Sequence, residues 1–149
     1  MAEVRFYHLT RSPLESALPK LLEKCIQGQL SAVVMAGSPQ RVKSLDQLLW
    51  TYGCDSFLPH GSARDGRAER QPIWLTDTDE RPNSATVLFL VDGAESERLS
   101  EYTRVCDLFN GRDEDAVLAA RSRWKRAKAD AHELSYWQQD PERGWVRNA

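Results

Sequence analysis

Two runs of apolar residues constrain this chain more than anything else in it. Residues 31–36 (Ser-Ala-Val-Val-Met-Ala) and 86–91 (Thr-Val-Leu-Phe-Leu-Val) show almost no alternation of polar and apolar positions. A strand with one wet face alternates. A strand apolar along its whole length is expected where both faces are covered, as in a parallel sheet with helices above and below it. Each run ends at a turn signal, Gly37-Ser38-Pro39 for the first and Asp92-Gly93 for the second.

The neighbouring segments fit that sheet. Residues 4–9 (Val-Arg-Phe-Tyr-His-Leu) read as a short strand rich in β-formers. Ser12 and Pro13 then open a helix with Leu14, Leu18, Leu21, Leu22, Cys25 and Ile26 at helical spacing. Pro19 sits awkwardly inside it, and Gly28 supplies a stop. A second helix is expected over residues 40–52, with Val42, Leu45, Leu48 and Leu49 apolar, Trp50 and Tyr52 at its end, and Gly53 as its stop. Strand, helix, strand, helix is the grammar of parallel strands joined by right-handed crossovers. The expected fold class is therefore α/β, with a mostly parallel central sheet and helices on both faces.

The rest of the chain is read by the same rules. Residues 56–59 are a brief extended piece, 60–71 a mobile loop, 73–76 a strand and 77–84 a polar, acidic loop. Residues 86–91 form the strongest strand and are placed centrally. Residues 95–109 are read as a helix from Leu99, Tyr102, Val105, Cys106 and Phe109. Residues 132–138, with Leu134, Tyr136 and Trp137, are read as a last strand or an extended docking segment. Residues 140–149 look like a loose tail. The organisation expected is one domain over residues 1–138 with a C-terminal tail over 139–149.

Size and charge bound the function. A chain of 149 residues can bury one sizeable core. Lysine and arginine total 20 against 22 acids, so the net charge of −2 argues against a general nucleic-acid coat while leaving room for a local basic patch. Cys25, Cys54 and Cys106 are odd in number and form no C-x-x-C pair, which suits reduced thiols. No signal pattern opens the chain and no apolar run approaches transmembrane length. The expected location is cytoplasmic.

An α/β chain invites a nucleotide reading, but its signals are absent. Thr10-Arg11-Ser12-Pro13 follows the first strand without a glycine fingerprint, and Gly37 stands alone without a following Gly-Lys-Ser/Thr. His8, His60 and His132 lack metal-site spacing, and no local signature supports a Cys–His nucleophile pair. His8 is read as packed in its strand, and His60 as an exposed group at a loop entrance. Asp77, Asp79 and Glu80 are read as a solvated cluster. No cofactor, no metal and no intrinsic catalysis are expected; the alternative is an orphan Rossmann-like enzyme or nucleotide-binding protein.

The stretch that carries chemistry runs over residues 107–128. Asn110 or Asp113 can cap a helix whose first turn holds Asp113, Glu114 and Asp115 and whose later turns hold Arg121, Arg123, Lys125, Arg126 and Lys128, so both ends complement the helix dipole. Ala116, Ala119, Ala120, Ala127 and the stem of Arg123 share one side, where small residues permit close approach to a neighbour. Arg121, Trp124, Lys125 and Lys128 fall on another, at i, i+3, i+4 and i+7. Two readings of that second face stand side by side. Trp124 is core and the cations are solvated, or the face binds anions against an aromatic wall and suits an acidic peptide with a hydrophobic end. Farther up the chain, Trp50, Tyr52, Phe57 and Leu58 crowd around Gly53, as core or as an apolar contact site.

These regions carry a family resemblance. Phe6-Tyr7, Leu45-Asp46-x-x-Leu49-Trp50, Ser56-Phe57-Leu58-Pro59-His60 and Arg121-x-x-Trp124-Lys125 resemble, in order and spacing, the chi subunit of bacterial DNA polymerase III, from the first strand to about Trp137. The resemblance implies a Rossmann-like three-layer fold without nucleotide chemistry. It implies a non-catalytic clamp-loader accessory subunit that binds the acidic C-terminal tail of single-stranded DNA-binding protein and, in some bacteria, a small psi subunit. DNA would be met only indirectly, and no membrane is involved. On the family pattern Arg121, Trp124, Lys125 and Lys128 take the tail-binding positions. Trp stands where Tyr is commoner, and Lys128 where Arg is found, which loses bidentate carboxylate geometry. Trp50 and Phe57 match aromatics of the psi-facing surface. Physically, the cations can take the tail's carboxylates, and Trp124 with Val117 can wall in its terminal ring.

Overall fold

The computed structural model describes residues 2–10, 13–51, 60–62, 67–140, 142 and 144–147. Its framework is an eight-stranded sheet in the order β3-β4-β2-β5-β6-β1-β7-β8. The strands are β1 (Glu3–Leu9), β2 (Ala32–Met35), β3 (Gly61–Ser62), β4 (Ile73–Thr76), β5 (Val87–Leu90), β6 (Arg104–Asn110), β7 (Glu133–Asp140) and β8 (Gly144–Arg147). Every pairing is parallel except the last, where β8 runs antiparallel to β7. The helices are α1 (Leu14–Gln27), α2 (Pro39–Thr51) and α3 (Glu114–Ala129).

Helices cover both faces, giving the three-layer sandwich anticipated. On one face Leu18 and Leu22 of α1 and Leu45 and Leu49 of α2 pack with Leu9, Val34, Leu75, Phe89 and Leu108 of the sheet. On the other, Val4, Phe6, Val33, Leu88, Val105 and Phe109 form a second core that includes Ala120 of α3. Alternate residues of each strand supply the two cores, because successive side chains point to opposite faces. β2 and β5 are buried at every position, as their unbroken apolar runs require. β5 lies in the middle of the sheet.

α1 continues through Pro19 and is closed by Gly28, whose N–H donates to Lys24 O. α3 is capped by Asp113, whose carboxylate accepts from the N–H groups of Asp115 (3.0 Å) and Ala116 (3.4 Å). The expected starting Ser12, the stop at Gly53, Cys54 and the extended piece at 56–59 lie outside the described residues.

Five expectations are corrected. Residues 95–109 do not form a helix. A 3-10 turn at Leu99–Glu101 precedes β6, which sits between β5 and β1. The spacing of Val105, Cys106 and Phe109 imitated a helix because an acid, Asp107, interrupts an otherwise apolar strand. The segment read as a mobile loop over 60–71 contains β3 and a 3-10 turn at Ala68–Arg70, and His60 is buried with Nε2 3.0 Å from Asp46 Oδ1. The tail read as loose contains β8, and Trp145 packs edge-on against Tyr7, 4.8 Å between centroids. Two acids of the 77–80 cluster are anchors and are not simply solvated. Glu80 Oε1 accepts from Trp74 Nε1 (2.9 Å) and Thr76 Oγ1 (2.8 Å), and Asp79 accepts from Ser96 Oγ (2.6 Å) and Glu97 N–H (3.0 Å).

Among the described residues no helix is long and apolar enough to cross a membrane.

Candidate functional site

The connection β6-α3-β7 carries α3 across β1, since β1 lies between β6 and β7 in the sheet. The rotation of α3 about its own axis is then fixed by two things. Ala120 and Ala127 are buried, which lets the helix approach the sheet closely. Arg123 reaches down to Asp107, donating from Nε to Oδ2 (2.6 Å) and from a terminal nitrogen to Oδ1 (3.0 Å). The Arg123 and Asp107 side chains are only 9% and 3% exposed, so this is an ion pair inside the protein. Burial pushes the Asp107 carboxyl up from its ordinary value, while the Arg123 guanidinium pulls it down.

With Arg123 turned inward, positions on either side of it in α3 meet a cavity of about 380 Å³. The helix contributes Val117, Ala120, Arg121, Trp124 and Lys125 to its walls. The sheet contributes Phe6 and His8 from β1, Phe109 from β6 and Tyr136 from β7. Register explains the convergence: Phe6 pairs with Tyr136, and His8 with Phe109, so all four point to the α3 face.

The rings form an enclosure. Trp124 meets Phe6 edge-on at 5.3 Å and Tyr136 at 6.3 Å between centroids, and His8 lies 5.1 Å from Phe109. Trp124 is part-buried: it packs onto Phe6 and also lines the cavity. The Tyr136 hydroxyl touches His8 Nδ1. Burial raises the Tyr136 phenol above its ordinary value, against a hydrogen bond from Gln138 and the nearby charge of Arg121.

Arg121, Lys125 and Lys128 are exposed, and among the described residues none of them has an ion-pair partner. Among the described residues no acid lines the cavity. Four of the five sequence-nominated residues of this face, Val117, Arg121, Trp124 and Lys125, thus share one cavity. Lys128 stands outside its walls, farther along the same helix. Sequence reading missed Phe6, His8, Phe109 and Tyr136 as cavity walls. The available signal was the period-two placing of Phe6 and His8 and of Leu134 and Tyr136, but which strands were neighbours was not yet known.

The second nominated surface is described only in part. Trp50 is 55% exposed at the end of α2, its ring 5.0 Å from that of His60. Phe57 lies outside the described residues.

A crevice of about 840 Å³ opens at the C-terminal ends of β1 and β6, between the starts of α1 and α3, where α/β proteins commonly hold ligands. Its arginines are committed inside the protein. Arg41 bonds Glu15 (2.9 Å) and Asp92 (2.8 Å), Arg112 Nε donates to Thr10 O (2.8 Å), and Arg123 holds Asp107. Glu15, Asp92, Asp113 and Asp115 share the lining. Carboxylates thus occupy the helix starts where a phosphate would be attracted. Among the described residues no group of three or more His, Cys, Asp or Glu is placed to hold a metal ion.

The sequence matches the family model described as DNA polymerase III chi subunit, HolC, over residues 1–135. It is 32% identical over 108 residues to a probable DNA polymerase III subunit chi of Rickettsia prowazekii (strain Madrid E). That alignment covers 70% of this chain and 66% of the relative, a little under two thirds of the relative's length.

Proposed function

Because this chain belongs to the family of the DNA polymerase III chi subunit, we propose that it is a non-catalytic accessory subunit of that replicase, linking the clamp loader to the acidic C-terminal tail of single-stranded DNA-binding protein. The observation that carries this reading is the cavity beside α3: apolar and aromatic within, rimmed by Arg121 and Lys125, and without an acid among the described residues of its lining. A guest suited to it carries negative charge next to a hydrophobic end. Arg121 and Lys125 would take its carboxylates by charge-assisted hydrogen bonds, and Trp124 with Val117 would receive its ring. Lys128, one turn on, would add long-range attraction.

Such a contact is small, so a dissociation constant on the order of micromolar is expected. It should weaken with salt, because the cations are exposed. Several tails on one partner would raise the effective concentration and hold the complex in the cell. Trp50, exposed at the end of α2, is assigned to a second contact, with a partner subunit of the psi type. Phe57 is assigned to the same contact from its place in the sequence.

Fluorescence anisotropy with a labelled tail peptide tests the reading. Arg121→Ala and Lys125→Ala should each cost about 1–2 kcal/mol of binding and leave the melting curve unchanged. Unchanged affinity in both variants would remove the site, and no binding by the unaltered protein would remove the function.

A further inference from the structure

We infer that the Tyr136 hydroxyl is a further hydrogen-bond donor to the anionic end of the guest, and that His8 is the positioning residue that turns its proton into the cavity. The inference rests on the tail-binding reading above and adds to it a polar group from the last parallel strand, on the wall opposite the helix cations.

The geometry is as follows. Tyr136 and His8 both line the α3 cavity, and the phenol oxygen contacts His8 Nδ1. Gln138 Nε2 lies 3.5 Å from the same imidazole nitrogen. The other edge of the imidazole is fixed by backbone. A Cβ built on Gly111 would fall onto His8 Cδ2 and Nε2, so that edge of the ring lies against the turn after β6. Nδ1 is the nitrogen left to address Tyr136.

A phenol has one proton to give. If Nδ1 is bare, the Tyr136 O–H donates to it, and the cavity sees only lone pairs, which repel a carboxylate. If Nδ1 carries a proton, it donates to the phenol oxygen. The Tyr136 O–H is then released to point at the guest, close to the charge of Arg121. No proton is created or lost in the neutral case: the imidazole proton moves from Nε2 to Nδ1. An anionic guest therefore favours the Nδ1–H form, and that form favours the guest. The polar and charged groups that share the cavity lining with His8 are Tyr136 on β7 and Arg121, Lys125 and the Trp124 indole on α3. No acid among them would compete for the phenol proton.

The test uses the full chain and two acidic peptides ending in an aromatic residue, one with a free terminal carboxylate and one amidated. Tyr136→Phe keeps the ring and removes the hydroxyl. It should weaken the free-carboxylate peptide about tenfold, the size of one hydrogen bond to a charged group, and leave the amidated peptide unchanged. His8→Leu removes the orienting imidazole but leaves the phenol its proton, so it should lose less affinity than Tyr136→Phe and add nothing to that loss in the double variant. His8→Asn, whose amide can donate from near the Nδ1 position, should restore most of the affinity. The imidazole nitrogen shifts of His8 should move toward the Nδ1–H form when the free-carboxylate peptide is added. Equal loss for both peptides, or no loss in Tyr136→Phe while Lys125→Ala still weakens binding, would overturn the inference and leave the tail-binding site standing. Binding of neither peptide by the unaltered protein would overturn both.

Discussion

Arg123 and Asp107 form a two-pronged ion pair beneath α3, with both side chains almost wholly enclosed. Arg123 lies two residues from both Arg121 and Lys125, so the pair that turns one cation inward also turns its neighbours out. The exposed face of α3 is set by a contact in the interior.

Breaking that pair should be costly. Asp107→Asn leaves the guanidinium enclosed without its counter-charge and is expected to destabilise the fold by about 3 kcal/mol in urea unfolding. Replacing both partners, Asp107→Leu with Arg123→Met, should recover much of that loss, because the desolvation cost of two charges disappears. A cost below about 0.5 kcal/mol for Asp107→Asn would mean that the pair does not hold α3.

Alkaline pH should destabilise the protein. Burial pushes Cys106 from its ordinary value of 9.0 up to about 12, and Tyr7 and Tyr102 from 10.0 up to about 12. Each group stays protonated in the fold at a pH where the unfolded chain has released the proton. The stability these groups contribute is complete below about pH 9 and falls as the pH rises toward 12. Urea midpoints at pH 8, 9.5 and 11 should decline in that order, and Tyr7→Phe should make the decline shallower. A flat profile would contradict the burial of these groups.

Gly111 should resist substitution. A Cβ there would strike the His8 ring and lie 2.9 Å from Leu9 O. Gly111→Ala should cost about 2 kcal/mol by overpacking and lower the melting temperature. Because the same ring faces the α3 cavity, tail-peptide affinity should fall as well. An unchanged melt would show that the turn can move aside.

Trp50 should behave as a contact residue. With 55% of its surface exposed, Trp50→Ala should change monomer stability by about 1 kcal/mol or less while abolishing co-purification with a psi-type subunit. Retained co-purification would remove Trp50 from that interface.

The sequence carried the sheet where strands are apolar from end to end. β2, β4 and β5 were readable because nothing interrupts them. β6 was not, because Asp107 sits in its middle and its partner, Arg123, is sixteen residues away on another element. β8 was missed because Trp145 looks like a stray aromatic until it is seen against Tyr7. The cation face of α3 was legible because helical spacing puts Arg121, Trp124 and Lys125 together within one element. The opposite walls were not, because Phe6, Phe109 and Tyr136 come from three strands that only the parallel register brings side by side.

The most direct measurement follows the Trp124 indole N–H in a proton–nitrogen spectrum of the whole protein, assigned with Trp124→Phe, while unlabelled tail peptide is added. The expected result is that this signal and the backbone amides of Val117, Arg121 and Lys125 shift together and saturate at one peptide per chain, while the Trp50 indole stays still. A stationary Trp124 indole, with shifts at Asp92, Asn110 and Arg112 in the crevice instead, would contradict the assignment of the α3 cavity as the place where the tail is held.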